Sequence, residues 1–461
     1  MKKQKGLVDM TKGPILGRLI LFCLPIIFTS WLNMAFNAAD KVVVGRYAGS
    51  AALAAVGASS PITMFVFSLS MGLCSGVSVE AAKNFGAGRL DDLKKTVQTA
   101  ISSSLLIGVV LAAVTYLLAM PVLHLLGTPG DIIVEASKYL KIYFLSIPGI
   151  LCYNFGAAIL RSLGDTQRPL IILTISGVMN VVLNLIFVIV FDMAVVGVAL
   201  ATTISQYYSA AAVVIHMMRQ QGALHYDAKH PELKFDVLGR ILKVGVPAGI
   251  QGVLFSISDM ALQSAVNSLG SAAVAGSSAG MTAEGFIFGS MGAATQGCMV
   301  FTGQNVGAKK FDRTKRVLFL SMAVSVVVAV FMGGVCFLLR RQLMGLMIND
   351  STEALEYGIQ RINIVCTCTF IYGILDVLTA SMRGFGISVA PAIISVVCIC
   401  GFRILWSKTY FLTHRTLFSL YLSYPLAWLI SLVPEIIMYV ILTRKIIARE
   451  TAGAKKEEIV E

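Results

Sequence analysis

The sequence predicts an all-α integral membrane protein with twelve transmembrane helices in two six-helix, pseudo-symmetric halves. Ala, Val, Ile, Leu, Met, Phe, Trp, Tyr and Cys make up 57% of the 461 residues. Charged residues make up only 13%, roughly half of the ~25% that is usual in soluble domains. Apolar runs of about 20 residues, the length that crosses a bilayer, recur along the whole chain. Landmarks of the first half return in the second half.

The apolar runs form two sets of six. The first run is as long as a bilayer span and lacks a small-residue cleavage pattern at its end, so we interpret it as the first helix rather than a signal peptide. The only long polar stretch, 219–238, separates the sets as a linker, which predicts an N-terminal lobe over 1–218 and a C-terminal lobe over 239–461. The predicted spans lie near residues 15–38, 53–80, 97–120, 136–160, 169–191, 194–218, 239–268, 272–302, 317–339, 357–382, 389–412 and 417–443.

The two halves are internal repeats. The segment RSLGDTQRP, which begins at Arg161, matches RGFGISVAP, which begins 222 residues later at Arg383. The segment GSAA at Gly49 likewise returns 221 residues later at Gly270. Because each half has an even number of spans, both copies enter the membrane from the same side. Such parallel repeats are typical of transporters, with a pathway between the halves.

The net charge of +13 follows the membrane topology and does not indicate nucleic-acid binding. Of the 37 Lys and Arg residues, 27 fall at the termini and in alternate loops that would share one side of the membrane. Basic loops stay in the cytoplasm. We therefore expect a multi-pass protein of the plasma (inner) membrane with the linker and both termini cytoplasmic.

Enzyme and metal-site motifs are missing from the sequence. The nine cysteines lie in apolar stretches without a CxxC pair, so they are interpreted as buried hydrophobic residues, with neither disulfide nor metal site. The sequence contains neither a phosphate-binding G-x-x-x-x-G-K-[ST] loop nor H-E-x-x-H. We expect a protein that is not an enzyme, uses no cofactor and takes its energy from an ion gradient.

Acids inside apolar runs are the candidates for ion coupling, because a carboxylate in the bilayer is costly unless it is neutralised, paired or hydrated. Asp40 lies in NMAFNAADKVVVG, on about the same helical face as Asn33 and Asn37. Burial would let such a residue bind and release a proton near neutral pH. The alternative is that Lys41 and Arg46 mark Asp40 as a solvated charge at the membrane boundary.

Two amides and a hydroxyl follow in the fifth and sixth spans. Asn180 and Asn184 are one helical turn apart, and Thr202 and Thr203 come early in the next span. Near a carboxylate, these groups offer oxygen ligands for a hard cation or a hydrogen-bond network for a proton. Equally, they could only hydrogen-bond across membrane helices.

The second half carries its own acids in the predicted spans. Asp259, Glu284 and Asp376 would suit cationic substrates if they line a cavity. The alternative is structural pairing with a buried arginine. Asp192 and Glu435 are expected nearer the membrane interfaces.

The order of several motifs resembles the multidrug and toxic compound extrusion (MATE) family of secondary transporters, in its bacterial DNA-damage-inducible-like branch. The similarity covers nearly the whole chain. Its segments are NAADKVVVG, FGAGRLDDLKK, LRSLGDTQRP, NVVLNLIF with GVALATTISQ, GQNVGAKKFDR, SMRGFGISVAP, GFRILW and YPLAW.

The resemblance implies an ion-coupling site at Asp40, Asn37, Asn180, Asn184 and Thr202. Asn184 departs from the family pattern, which often has an acid there, and a single carboxylate favours H+ over Na+. Sodium at Asp40, Asn180, Asn184 and Thr202 stays open as the second choice. The resemblance also implies export of small amphipathic, mostly cationic organic compounds by antiport, with the two lobes alternating in access. We expect the protein to be a monomer.

The alternative function is a flippase or exporter of lipid-linked precursors or polysaccharides. Such a protein would need Arg or Lys in its cavity to hold pyrophosphate, and here chiefly Arg361 and Arg403 could do so. A non-transporting receptor or scaffold fits poorly with membrane acids in both halves and little mass outside the membrane. Transport assays separate these classes.

Overall fold

The computed structural model describes residues 8–348 and 351–460, and it contains only helices and their connections within these ranges. A membrane-spanning chain has to satisfy its backbone hydrogen bonds internally, which the helix does within one segment. Four helices pass directly into π-helical segments, at Val44–Ala48, Ile186–Val190, Ile362–Cys366 and Val396–Gly401. The α-helices are α1 (Ile15–Val43), α2 (Gly49–Gly86), α3 (Leu90–Leu125), α4 (Ile133–Phe144), α5 (Ile147–Ser162), α6 (Gln167–Leu185), α7 (Ala194–Met218), α8 (Phe235–Asn267), α9 (Ser271–Gly307), α10 (Phe311–Leu338), α11 (Arg340–Met347), α12 (Thr352–Arg361), α13 (Thr367–Gly384), α14 (Val389–Ser395), α15 (Phe402–Lys408), α16 (Tyr410–Thr413) and α17 (Leu417–Val460).

The predicted all-α membrane fold is confirmed. Among the described residues, ten helical segments are long and apolar enough to cross a membrane, and α4 and α5, which are bent by 44° at their junction, are together long and apolar enough for one more span. The remaining predicted span, 272–302, corresponds to α9, which has 37 residues but is rich in Gly, Ala and Ser. Small residues lower its hydropathy and allow close helix packing. Leu117 and Val190 are 75% and 71% exposed, as lipid-facing side chains would be.

The first compact unit comprises Val8 and Phe28–Gly249. Its helices α2 and α8 approach so closely that side chains would not fit between them. A Cβ atom on Gly72 would lie 2.1 Å from the backbone nitrogen of Gly249, and one on Gly76 would lie 2.1 Å from the Ile241 carbonyl oxygen. The GxxxG spacing of these glycines therefore serves helix packing.

The linker packs against helix α3 of the same unit. The backbone N–H of Lys234 donates to Thr99 Oγ1 at 3.2 Å, and Leu224 and Tyr226 are buried. That the linker faces the cytoplasm stays a prediction.

The second unit comprises Asp9–Ile27 and the described part of the chain from Ile250 onward. Its N-terminal segment is held by hydrogen bonds, including one of 2.9 Å from the Met10 backbone N–H to Gln304 Oε1. These units differ in extent from the predicted lobes, because the start of α1 belongs with the second unit and the start of α8 with the first. Contacts within the helix bundle decide this division, whereas the sequence marks only the polar linker. The lobe boundaries stay a prediction.

Candidate functional site

Four of the predicted ion-coupling residues meet in the first unit. Asn184 Nδ2 donates to Asp40 Oδ1 at 2.5 Å and to Asn180 Oδ1 at 3.4 Å. Asn180 Nδ2 in turn donates to Thr202 Oγ1 at 3.4 Å. One chain of hydrogen bonds thus joins α1, α6 and α7.

The backbone around this cluster departs from regular α-helix on two sides. Asp40 lies in the last turn of α1, before the π-helical segment Val44–Ala48. Asn184 lies near the end of α6, before the π-helical segment Ile186–Val190. The two π-helical segments contact each other. Single π-helical turns are frequent at functional sites, and here they flank the carboxylate and its amide partner.

The polar groups of the cluster are shielded from the surroundings to different degrees. Asn184 is fully buried and Asn180 is 7% exposed, whereas Asp40 is half-buried and Lys41 and Arg46 are exposed. Among the described residues, no Lys, Arg or His nitrogen lies within 4.0 Å of the Asp40 carboxylate. The partner of Asp40 is therefore an amide, which leaves its negative charge uncompensated.

One buried oxygen in the cluster has no hydrogen-bond donor in the described part of the chain. It is Asn184 Oδ1, which is buried. With the oxygens of Asp40, Asn180 and Thr202, it forms an oxygen-only set that fits a small hard cation. It equally fits the acceptor that a protonated carboxyl group needs.

Two neighbouring polar residues lie outside this chain of hydrogen bonds. Asn37 is exposed, and its side chain donates to the Asn33 carbonyl oxygen at 2.7 Å within α1. Thr203 donates to the carbonyl oxygens of Ile142 and Ala199, which is ordinary helix packing. The structure does not bring Asn37 to Asp40's partners, so its role stays a prediction.

Glu284 is held in a buried ion pair in the second unit. Arg361 donates to both carboxylate oxygens, from Nε at 2.6 Å and from Nη2 at 2.9 Å. Arg361 also donates to Ser277 Oγ at 2.9 Å, and its guanidinium lies 5.3 Å from the ring centroid of Tyr424. The alternative of structural pairing with a buried arginine thus describes Glu284 well.

Asp259 also pairs with an arginine but stays accessible. Arg403 Nη2 donates to Asp259 Oδ1 at 2.6 Å, and the side chains are 4% and 52% exposed respectively. Asp259 lines a cleft of the second unit together with Met281, Tyr421 and Tyr424. Guanidinium groups already lie over these rings, since Arg361 is 5.1 Å from the Tyr421 ring centroid and Arg403 is 4.2 Å from that of Tyr424. The exposed part of the Asp259 carboxylate is therefore the feature that suits an organic cation. Arg361 and Arg403 are both engaged by carboxylates, which leaves them less suited to hold pyrophosphate.

Asp376 is partnered by a hydroxyl instead of a cation. Thr295 Oγ1 donates to Asp376 Oδ2 at 2.7 Å, and none of the described basic side chains lies within 4.0 Å of it. The three predicted substrate-binding acids therefore have three different environments, and their contact with substrate stays a prediction.

Sequence reasoning missed Glu435. The sequence places this residue near a membrane interface, whereas the structure buries it fully inside the second unit. Thr379 and Ser395 donate their hydroxyl groups to its carboxylate. Its position directly after Pro434, within the apolar run LISLVPEIIMYV, is the signal that could have revealed it.

Comparisons with known proteins identify relatives of this chain. The family model described as MatE matches residues 25–186 and 247–407. The probable multidrug resistance protein YoeA of Bacillus subtilis is 27% identical over 443 residues, 93% of this chain and 95% of that protein. The probable multidrug resistance protein YpnP of Bacillus subtilis is 30% identical over 299 residues, 65% of this chain and 67% of that protein.

Solved structures share the fold. An outward-facing multidrug resistance MATE family transporter of the MOP superfamily matches with a TM-score of 0.88 and 18% identity, over 97% of this chain and 99% of the other. A MOP superfamily transporter from Pyrococcus furiosus, whose binding pocket is described as having reverse polarity that suggests a different function, matches with a TM-score of 0.84 and 20% identity, over the same shares of the two chains.

Proposed function

Because the chain belongs to the MatE family of membrane transporters, we propose that it is a secondary active multidrug exporter driven by inward movement of protons. Its substrates are small amphipathic organic compounds, mostly cationic. The names of YoeA and YpnP as probable multidrug resistance proteins support the substrate class. In this proposal the protein works as a monomer in the plasma membrane, with both termini in the cytoplasm and access alternating between its lobes.

The observation that carries the proton coupling is the Asp40–Asn184 hydrogen bond without a nearby cation. An ionised Asp40 accepts from Asn184 Nδ2. A protonated Asp40 becomes a donor and needs an acceptor, which Asn184 Oδ1 can supply after its amide turns. Proton binding therefore rearranges a bond between α1 and α6, and this is how the site would bias the conformation of the first unit.

The energetics suit a single coupled proton. Moving one elementary charge inward supplies about 2.3 kcal/mol per 100 mV of membrane potential. Each pH unit of gradient adds about 1.4 kcal/mol. Sodium would use the same oxygens, but Asp40 is the only carboxylate in the described chain of hydrogen bonds. A proton needs only one carboxylate oxygen, to which it bonds covalently, whereas Na+, which carries the same charge, has to replace its hydration shell with several oxygen ligands.

Cationic substrates would be recognised in the accessible cleft of the second unit. Asp259 is about half exposed there although it is paired with Arg403. The rings of Tyr421 and Tyr424 lie beside it. An organic cation can pair with the exposed part of the Asp259 carboxylate, while the guanidinium groups of Arg361 and Arg403 keep their places over the tyrosine rings.

The experiment is dye transport by the purified protein in liposomes, with H+ and Na+ gradients imposed separately. The proposal expects a pH gradient to drive dye accumulation and a sodium gradient at uniform pH to drive none. Accumulation with sodium alone would contradict the coupling ion. Absence of any dye transport, together with transfer of a lipid-linked oligosaccharide, would favour the flippase alternative.

A further inference from the structure

We infer that Glu435, with Thr379 and Ser395, forms an exchangeable proton-binding site in the second unit, separate from Asp40. The inference extends the proposed proton coupling. Only the role of the Glu435 site in transport rests on that proposed function. The site itself stands on geometry.

The carboxyl group of Glu435 is buried among hydroxyl groups. Thr379 Oγ1 lies 3.1 Å from Oε1 and 3.2 Å from Oε2, and Ser395 Oγ lies 3.0 Å from Oε1. No described basic nitrogen lies within 4.0 Å of the carboxyl group. A carboxylate in a membrane interior without a cation is costly, and a proton removes this cost. The hydroxyl distances are those of direct hydrogen bonds and leave no room for a metal ion between them.

Charge balance in the neighbourhood also points to one proton. The titratable groups close enough to interact with Glu435 are Asp376, Arg383 and Tyr372 on α13 and Cys398 in the π-helical segment after α14. One arginine thus faces two acids. The group is neutral when one acid carries a proton, and Glu435 is fully buried whereas Asp376 is half-buried. The proton is therefore assigned to Glu435, the acid that water reaches least.

Two irregular helix positions meet at this site and would let the proton exchange. Pro434 precedes Glu435 within α17 and removes a backbone hydrogen bond from that helix. Ser395 is the last residue of α14, before the π-helical segment Val396–Gly401. Ser431, one helical turn before Glu435, is fully buried, and its hydroxyl group has no partner among the described residues. It can receive or supply a hydrogen bond when Glu435 changes its protonation.

The test is infrared spectroscopy of the purified full-length protein as a function of pH, with Asp40→Asn, Glu435→Gln and, as a control on the same helix, the exposed Glu450→Gln. We expect the carbonyl band of a protonated carboxylic acid to disappear on raising the pH. The band should be lost in Glu435→Gln and kept in Asp40→Asn and Glu450→Gln. Glutamine keeps the size and the hydrogen bonds of the protonated acid, so this variant should fold.

Three results would overturn the inference. The band could be unchanged in Glu435→Gln, it could persist at every accessible pH as for a permanently protonated structural residue, or it could be removed by sodium at constant pH. If Glu435→Gln does not fold, Ser395→Ala replaces it and should change the frequency of the band. A titrating Glu435 in a protein that a pH gradient does not drive would refute the proposed function and leave the proton site intact. Proton-driven transport by a protein that lacks this band would refute the proton site at Glu435 and leave the proposed function intact.

Discussion

Breaking the buried ion pair of the second unit should destabilise the protein strongly. We expect Glu284→Gln to lower the free energy of unfolding by about 3–5 kcal/mol, because removal of one partner leaves a buried charge without compensation. The side chains of Arg361 and Glu284 are only 3% and 6% exposed, so water cannot replace the lost carboxylate.

The contacts of Arg361 set this magnitude. In the variant, the glutamine oxygen can accept one hydrogen bond from the guanidinium, while its amide nitrogen faces a second donor. One of two charge-assisted bonds is therefore lost, and each such bond contributes about 1.5–3 kcal/mol. The bond to Ser277 Oγ at 2.9 Å and the longer bond of 3.3 Å to the Tyr424 hydroxyl remain. They hold the guanidinium but do not neutralise it, and the uncompensated charge adds the rest of the cost.

Thermal unfolding in detergent, followed with a thiol-reactive fluorescent dye, measures the effect, because seven of the nine cysteines are buried in the folded protein. The matched control is Glu356→Gln, which removes an ion pair of 3.7 Å with Arg341 whose side chains are 56% and 75% exposed. Such a surface pair contributes less than about 1 kcal/mol. Equal unfolding temperatures for the wild type and Glu284→Gln would refute the reasoning, as would equal losses in both variants.

Three further predictions concern packing, substrate range and topology. Gly76→Ala should destabilise the first unit by about 1–3 kcal/mol through overpacking. The control Gly57→Ala, on the same helix with no atom within 4 Å of its added Cβ, should not lower the unfolding temperature, because Ala is the better helix former; an equal loss in both variants would contradict the close contact of α2 with α8. Asp259→Asn should weaken efflux of cationic dyes and spare efflux of neutral ones, as measured in competition assays with matched dye pairs. An equal loss of efflux for both kinds of dye would indicate a folding defect instead. Cysteines introduced at Gln221 and Thr128 should react with impermeant reagents from opposite membrane faces, and labelling of both from outside intact cells would contradict the cytoplasmic linker.

Helix content and the Asp40 cluster could be predicted because their signals are local or strongly patterned. Asn180 and Asn184 are one turn apart, and the resemblance joins them to Asp40 and Thr202. The structure adds which group donates in each hydrogen bond, and it shows that the buried Asn184 Oδ1 has no donor among the described residues.

Long-range pairing could not be predicted in the same way. Glu284 and Arg361 are separated by 77 residues, and nothing in the sequence says that Glu284 would meet this arginine while Asp376 meets a hydroxyl. The residue ranges of the two compact units could not be predicted from the sequence either. They depend on which helices pack together, and α1 and α8 each contribute to both units.

The central claim, that Asp40 couples proton movement to export, is tested most directly by Asp40→Asn in liposomes under an imposed pH gradient. Asparagine keeps the size and can still accept from Asn184 but cannot titrate. The account predicts that this variant folds and binds dye like the wild type but loses gradient-driven transport, while Asp192→Asn, in an exposed turn, transports normally. Dye export by Asp40→Asn at the wild-type rate would contradict the account.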